Sequence, residues 1–225
     1  MRSVAELYEE GRSRISELAG EGRADARVPT CPAWTVHDVV AHVVGVCADV
    51  MAGNIEGVAT DPWTAAQVEA RRGRTVEELL AEWDDVGPPV AQMADQFGPA
   101  GHQLLFDLTS HEHDIRAAMG RSGARDHESV PDALEFVVAG LVGPAIDERG
   151  LAPLEIVTDL GTFVAGSGDQ PRAQLQAPAF EVMRALSGRR SAAQMAAYDW
   201  SVDPEPYIPA LVGGPFTLPA SDIVE

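Results

Sequence analysis

The sequence predicts an α+β protein that is mainly helical, with a helical bundle over residues 1–150 followed by a small α/β domain over residues 151–225. Before Gly150, apolar residues recur at helical spacing, and capping signals mark where successive helices begin. After Gly150, short apolar runs typical of β-strands replace that pattern. The chain of 225 residues is 45% hydrophobic and 23% charged, as expected of a folded globular protein.

The first two helices of the bundle are predicted from apolar spacing and from an N-terminal cap. Apolar residues over residues 4–18 recur at helical spacing and predict the opening helix. A proline-containing stretch over residues 27–34 predicts a loop. Thr35, followed three residues later by Asp38, has the pattern of a capping box and predicts the start of the second helix.

A third helix is predicted to begin after Thr75, which forms another capping-box pattern with Glu78. We expect this helix to run toward Asp85. Pro88 and Pro89 are then expected to interrupt it, because proline lacks the amide hydrogen that a helix interior requires, and the helix can resume after them.

Three further helices are predicted in the first 150 residues. A short one lies near residues 64–71. A long one covers residues 102–119 and ends at Gly120, because glycine accepts the left-handed conformation common after a helix. The third covers residues 130–149, with Pro131 in its first turn.

The last 75 residues predict a mixture of strands and short helices, before a tail rich in proline and glycine. Residues 154–158 and 162–164 predict a β-hairpin, because a tight turn separates two β-prone runs. The remaining predicted elements are a strand over residues 173–176 and helices over residues 179–186 and 191–198.

The charge of the chain narrows its range of partners. The formal net charge of −19 disfavours nucleic acid and membrane surfaces, both of which are anionic. A small molecule is the expected partner, and a homodimer stays open. The N-terminus is acidic rather than apolar, and no apolar stretch is expected to be long enough to span a membrane, so we expect a cytoplasmic protein. Cys31 and Cys47 match neither a zinc-finger nor a redox spacing.

Three residues on two predicted helices suggest a metal site. Asp107 and His111 are spaced i, i+4, so both side chains lean over the same turn of one helix. His42, on the second helix, can supply a third ligand. Two imidazoles and one carboxylate leave a coordination position open, which is the arrangement that catalytic zinc needs.

Less specific explanations exist for each of these residues. Asp107 and His111 can satisfy each other as a helical pair, and His42 can be a core histidine bonded to a backbone carbonyl. However, a carboxylate and an imidazole near the apolar stripe of a bundle helix need a partner of some kind, because an unpartnered buried charge is costly.

Other polar residues are candidates for supporting roles. Asp114 lies on the same side of its helix as His111 and can orient a ligand or bind a polar substrate group. Cys31 precedes the His42 helix and is either a reactive thiolate or a small packed residue. Arg189, beside Arg190, is a candidate for binding the carboxylate of a cosubstrate, or else part of a solvated pair.

Three segments of the chain resemble a known family. They are residues 31–42, residues 111–120 and residues 180–191. They are similar to the mycothiol-dependent maleylpyruvate isomerase-like proteins of actinobacteria, within the DinB/YfiT-like metalloenzyme superfamily. The resemblance implies a DinB-like up-and-down four-helix bundle that binds a divalent metal, usually zinc, through a histidine and a Glu-x-x-x-His pair.

Within this resemblance, His42 and His111 match the family's histidines. Asp107 stands where the family has glutamate, so its carboxylate is shorter by one methylene group. Asp114 matches the family's aspartate, and His113 stands where tryptophan is usual. A histidine at that position could add a ligand or an acid–base group.

The resemblance implies a metal-dependent enzyme that activates mycothiol, a low-molecular-weight thiol, for isomerisation or S-transfer on a small electrophile. A metal-bound thiol is deprotonated without a separate strong base. Two alternatives stay open: a metal-free bundle that binds a ligand or a partner, and a zinc-dependent hydrolase that uses metal-bound water.

Overall fold

A computed structural model describes residues 2–214 and 216–225. The chain forms two compact units, one of Met1–Gly123 with Glu225 and one of Ala124–Val224. Both helices and small sheets are present, which confirms the predicted α+β class with helix predominating.

Four long helices build the bundle of the first unit. Among the described residues, α2 packs mainly on α4, while α1 packs on α5 and α4. The elements of the unit are α1 (Val4–Ala19), β1 (Arg27–Val28), β2 (Cys31–Thr35), α2 (Val36–Ala52), α3 (Asp61–Arg71), α4 (Val76–Ala94) and α5 (Pro99–Met119). The predicted helical bundle is therefore confirmed.

The capping signals in the sequence work as predicted. The side chains of Thr35 and Thr75 each accept a hydrogen bond from the backbone of the third helical residue, and that residue's carboxylate accepts one in return. Gly120 ends α5 in the left-handed conformation, with φ of 65°. Thr35 and Thr75 thus set where α2 and α4 begin, and Gly120 sets where α5 ends.

Two predictions for this unit were wrong. Helix α4 continues through Pro88 and Pro89 instead of stopping at them. The carbonyls of Asp84 and Asp85, which lose their helical donors, lie on an exposed face where water can satisfy them. Residues 27–34 are also not a simple loop, because β1 and β2 pair antiparallel there and lead directly into α2.

The second unit contains a four-stranded sheet in the order β4-β3-β5-β6. Strands β3 and β4 form the predicted hairpin, and β5 runs parallel to β3. The elements of the unit are α6 (Ser129–Val137), a π-helical turn (Val138–Val142), α7 (Gly143–Glu148), β3 (Leu154–Thr158), β4 (Gly161–Ala165), β5 (Ala173–Gln176), α8 (Ala179–Leu186), α9 (Ala192–Ala196), β6 (Asp199–Trp200) and α10 (Ile208–Leu211).

The helix predicted over residues 130–149 forms, but with a π turn at its centre, where the amide of Gly143 donates to the carbonyl of Val138. It lies in the second unit, whereas the sequence suggested a boundary at residue 150, because α6 packs against α8 and β4. The helical stretch Ser129–Glu148 is long and apolar enough to span a membrane, contrary to the sequence expectation. Half of it is buried inside the protein, as in the core helix of a globular domain.

Candidate metal centre

Helices α2 and α5 bring His42, Asp107 and His111 together. The Oδ1 atom of Asp107 lies 3.5 Å from Nε2 of His42 and 3.5 Å from Nε2 of His111. One ligand atom from each residue lies within 4.8 Å of the others. Both histidines are buried, whereas one third of the Asp107 side chain is exposed. The cluster therefore opens to solvent on the Asp107 side.

Two of the three separations among these atoms fit a single divalent ion. Two donors bonded to one tetrahedral zinc at about 2.0–2.1 Å lie about 3.4 Å apart. The two separations between Asp107 and the imidazoles match that value. The shorter carboxylate of Asp107 thus reaches the space between the imidazoles, although the family pattern has glutamate here.

The outer nitrogen of each imidazole has a hydrogen-bond partner of its own. Nδ1 of His111 donates to Oδ2 of Asp114 at 3.0 Å. Nδ1 of His42 lies 2.8 Å from Oε1 of Gln67. Such outer contacts hold metal-binding histidines in place and leave Nε2 for the ion. In both residues the Nε2 atom faces Asp107.

Asp114 is fully buried and connects the bundle to the segment before α2. Its Oδ1 atom accepts a hydrogen bond from the Thr30 hydroxyl at 2.7 Å. The Cys31 thiol donates to Oδ2 at 3.7 Å, a long contact, and Cys31 lies outside the three-residue cluster. Asp114 thus positions His111 and does not face the open side of the cluster.

Trp34 covers the two imidazoles. Its ring centroid lies 5.4 Å from that of His42 and 5.8 Å from that of His111, and it stacks on the latter with an interplanar angle of 25°. The residue is half-buried, so its indole forms a wall beside the cluster. Sequence reasoning missed both Trp34 and Gln67. Their only signals were a tryptophan inside the family-like segment and a glutamine on a predicted short helix.

The charges in the cluster shift two pKa values in opposite directions. Burial alone would raise the pKa of Asp107, but the adjacent His42 and His111 imidazoles lower it well below its usual range. Burial would lower the pKa of His111, but Asp107 and Asp114 outweigh it and raise that pKa to about 9. In the metal-free cluster at neutral pH, His111 therefore carries a second proton and a positive charge.

The remaining candidates lie elsewhere. His113 is buried and outside the cluster. Arg189 lies in the second unit, where its guanidinium donates to the carbonyl of Ser187. Arg190 forms two hydrogen bonds with the carboxylate of Glu181, at 2.6 and 2.9 Å. Arg189 and Arg190 are both buried, so they are not a solvated pair.

The comparisons with known proteins identify the family and the fold. A family model described as the mycothiol maleylpyruvate isomerase N-terminal domain matches residues 4–129. The fold is shared with the crystal structures of the mycothiol-dependent maleylpyruvate isomerase and of its histidine-to-alanine variant, with TM-scores of 0.56 and 0.58. Each is 13% identical and covers 90% of this chain and 97% of its own.

No curated protein sequence matches the chain significantly. The low identity of the solved structures limits their evidence to the fold. The family model, in contrast, matches more than half of the chain and includes His42, Asp107 and His111 in the matched segment. The chain therefore belongs to the family defined by the mycothiol maleylpyruvate isomerase N-terminal domain.

Proposed function

We propose that the protein is a metal-dependent enzyme that uses mycothiol to isomerise a small electrophile of the maleylpyruvate type. The observation that carries this proposal is the convergence of Nε2 of His42, Oδ1 of Asp107 and Nε2 of His111. The family match supplies the thiol and the substrate class.

The metal that we propose is divalent, with zinc as the first candidate. Two imidazole nitrogens and one carboxylate oxygen suit zinc and leave room for an exogenous ligand. When bound, the ion would supply a Lewis acid that lowers the pKa of a thiol. His42, Asp107 and His111 would hold it.

The chain's own residues then define where the reaction takes place. Asp107 is the exposed edge of the cluster, so a thiol and its electrophile approach from that side. Trp34 offers an apolar face next to the imidazoles. A flat, conjugated substrate can pack against this face, which would exclude water from one side of the reacting bond.

The chemistry that we propose balances without an oxidant or a reductant. The thiolate sulfur adds to one carbon of the cis double bond, and the electron pair moves onto the conjugated carbonyl. The resulting single bond rotates. The electron pair then returns, the carbon–sulfur bond breaks, and the trans isomer leaves with the thiol regenerated. S-transfer would instead stop at the adduct, once its carbon is protonated.

Arg189, in the second unit, stays our proposal for binding a carboxylate, since a guanidinium binds a carboxylate with two parallel hydrogen bonds. We also propose a cytoplasmic location. The two cysteines, which are not joined in a disulfide, fit a reducing compartment.

The test is conversion of maleylpyruvate by zinc-reconstituted protein with and without mycothiol, followed by chromatographic separation of the isomers. We expect thiol-dependent formation of the trans isomer that is lost in His42→Ala and His111→Ala. Gln92→Leu, at an exposed position on α4, is the matched control and should retain activity. Turnover without thiol would support the hydrolase alternative. A metal-loaded protein with no turnover of either kind would contradict the proposal.

A further inference from the structure

Helix α3 has an unusual set of buried residues. Of its 11 residues, only Gln67 and Val68 are buried, and Gln67 is 3% exposed. A glutamine in such a position must have its polar atoms satisfied, because a buried amide without partners is costly. The amide of Gln67 is satisfied on both sides, with Oε1 at 2.8 Å from Nδ1 of His42 and Nε2 at 2.7 Å from Oδ2 of Asp49.

The partner on the far side fixes which way this amide points. A carboxylate can only accept hydrogen bonds, so the NH2 group of Gln67 must face Asp49. Asp49 is itself held, because its Oδ1 atom accepts from the side chain of Asn54 at 2.9 Å. The carbonyl oxygen of Gln67 therefore faces His42. Since that oxygen accepts only, Nδ1 of His42 must carry a hydrogen, which leaves Nε2 as the nitrogen that faces Asp107.

The approach of α3 depends on a glycine in α2. A Cβ atom added at Gly45 would lie 2.6 Å from Cβ and 2.8 Å from Cγ of Gln67. The Cβ of Gln67 is fixed to its backbone and cannot rotate away, so a larger residue at position 45 would push α3 outward. Gly45 lies on α2, one helical turn from His42. Its lack of a side chain thus lets Gln67 of α3 reach His42.

We infer that Gln67 is a positioning residue that locks His42 in its metal-binding tautomer, and that Gly45 and Asp49 are the residues that place and orient it. This inference rests on the metal site proposed above. The two histidines are then held by different chemistry: His111 by the carboxylate of Asp114 and His42 by a neutral amide. The neutral partner holds His42 without adding a further negative charge next to Asp107.

The tautomer itself can be tested without any metal. Two-dimensional 15N–1H NMR of the imidazoles distinguishes a hydrogen on Nδ1 from one on Nε2, in metal-free protein at mildly alkaline pH. We expect His42 to carry its hydrogen on Nδ1 in the wild type and in Gln92→Leu. In Gln67→Leu, which keeps the bulk but removes the acceptor, we expect a mixture of the two tautomers. An Nδ1 of His42 that carries no hydrogen in the wild type would overturn the inference.

Zinc affinity, measured by competition with a chromogenic chelator, is the second readout. Loss of an outer hydrogen-bond partner typically lowers metal affinity by about 10- to 100-fold. We expect a loss of that size in Gln67→Leu and in Gly45→Ala, and none in Gln92→Leu. An affinity of Gln67→Leu within twofold of the wild type would overturn the inference.

Exchanging the amide and the carboxylate between Gln67 and Asp49 should rescue zinc affinity, which a merely structural role would not predict. Gln67→Glu alone places two carboxylates against each other and should lower zinc affinity. The double variant Asp49→Asn/Gln67→Glu restores a donor opposite an acceptor and should recover the affinity and the Nδ1 tautomer. Failure of this recovery in a folded protein would count against the inference. If neither the wild type nor any variant binds zinc, the proposed metal function fails. The NMR measurement of the His42 tautomer still decides the role of Gln67 in that case.

Discussion

Nδ1 of His111 donates a hydrogen bond to Oδ2 of Asp114 across one turn of α5, at 3.0 Å. Asp114 is fully buried and receives a second hydrogen bond from Thr30. Because a carboxylate only accepts, Nδ1 of His111 carries a hydrogen in this contact, and Nε2 is the nitrogen that faces Asp107. Asp114 thereby orients the His111 imidazole, although its own side chain does not face the proposed metal.

Replacing Asp114 is expected to weaken both the metal site and the fold. Asp114→Ala leaves the half-buried Thr30 hydroxyl and the buried His111 Nδ1 without their acceptor, at a cost of about 1–3 kcal/mol in the free energy of unfolding. Urea denaturation of the metal-free protein measures it. Asp84→Asn, at an exposed ion pair with Arg12, is the control and should cost about 1 kcal/mol or less. Equal stabilities of Asp114→Ala and wild type would contradict the assigned contacts.

Zinc binding should strengthen as the pH rises. In the metal-free protein the pKa of His111 is raised to about 9, so below that pH the metal must displace a proton. The apparent association constant should therefore increase about tenfold per pH unit between pH 7 and pH 9, as a rough limit for one released proton, and flatten above. Affinity that is constant across this interval would show that His111 is not protonated in the free site.

Trp34 should report occupation of the site by its fluorescence. Its indole contacts both imidazoles, so a change in their protonation or ligation changes its environment. We expect zinc to alter the intrinsic emission of the wild type and of Trp83→Phe, and to leave that of Trp34→Phe unchanged. A zinc-dependent change that persists without Trp34 would place the ion elsewhere.

Replacing Glu112 is expected to lower the stability of the fold without lowering zinc affinity. This buried carboxylate points away from the cluster and pairs with Arg14 at 2.8 Å and with Arg116 at 2.8 Å. Glu112→Gln leaves two arginines without their counter-charge, which we expect to cost about 3 kcal/mol in the free energy of unfolding. Zinc affinity of the folded variant should stay within twofold of the wild type. A large loss of zinc affinity would connect Glu112 to the site after all.

The parts of the site that depend on local geometry were predictable from the sequence. Asp107 and His111 lie one turn apart on a helix, so their spacing alone brings them together. The capping box at Thr35 predicted the start of α2, and the family-like segment that contains it identified His42. These features depend on short stretches of chain and on one helix pairing.

The contacts that support the ligands could not be predicted in the same way. Gln67 acts on His42 only because Gly45 allows α3 to approach α2, and nothing in the spacing of the two residues shows this. Trp34 meets the imidazoles because β1 and β2 pair just before α2, where the sequence suggested a loop. Both depend on how elements pack, which a single sequence does not reveal through periodicity.

The metal content of the purified protein tests the central claim most directly. Elemental mass spectrometry of tag-free wild type should find close to one equivalent of zinc or another divalent ion, and His42→Ala and His111→Ala should lose it while remaining folded. Wild-type protein that stays metal-free after reconstitution with zinc, nickel or iron would contradict the account. The three residues would then form a structural network in a bundle that binds a ligand or a partner.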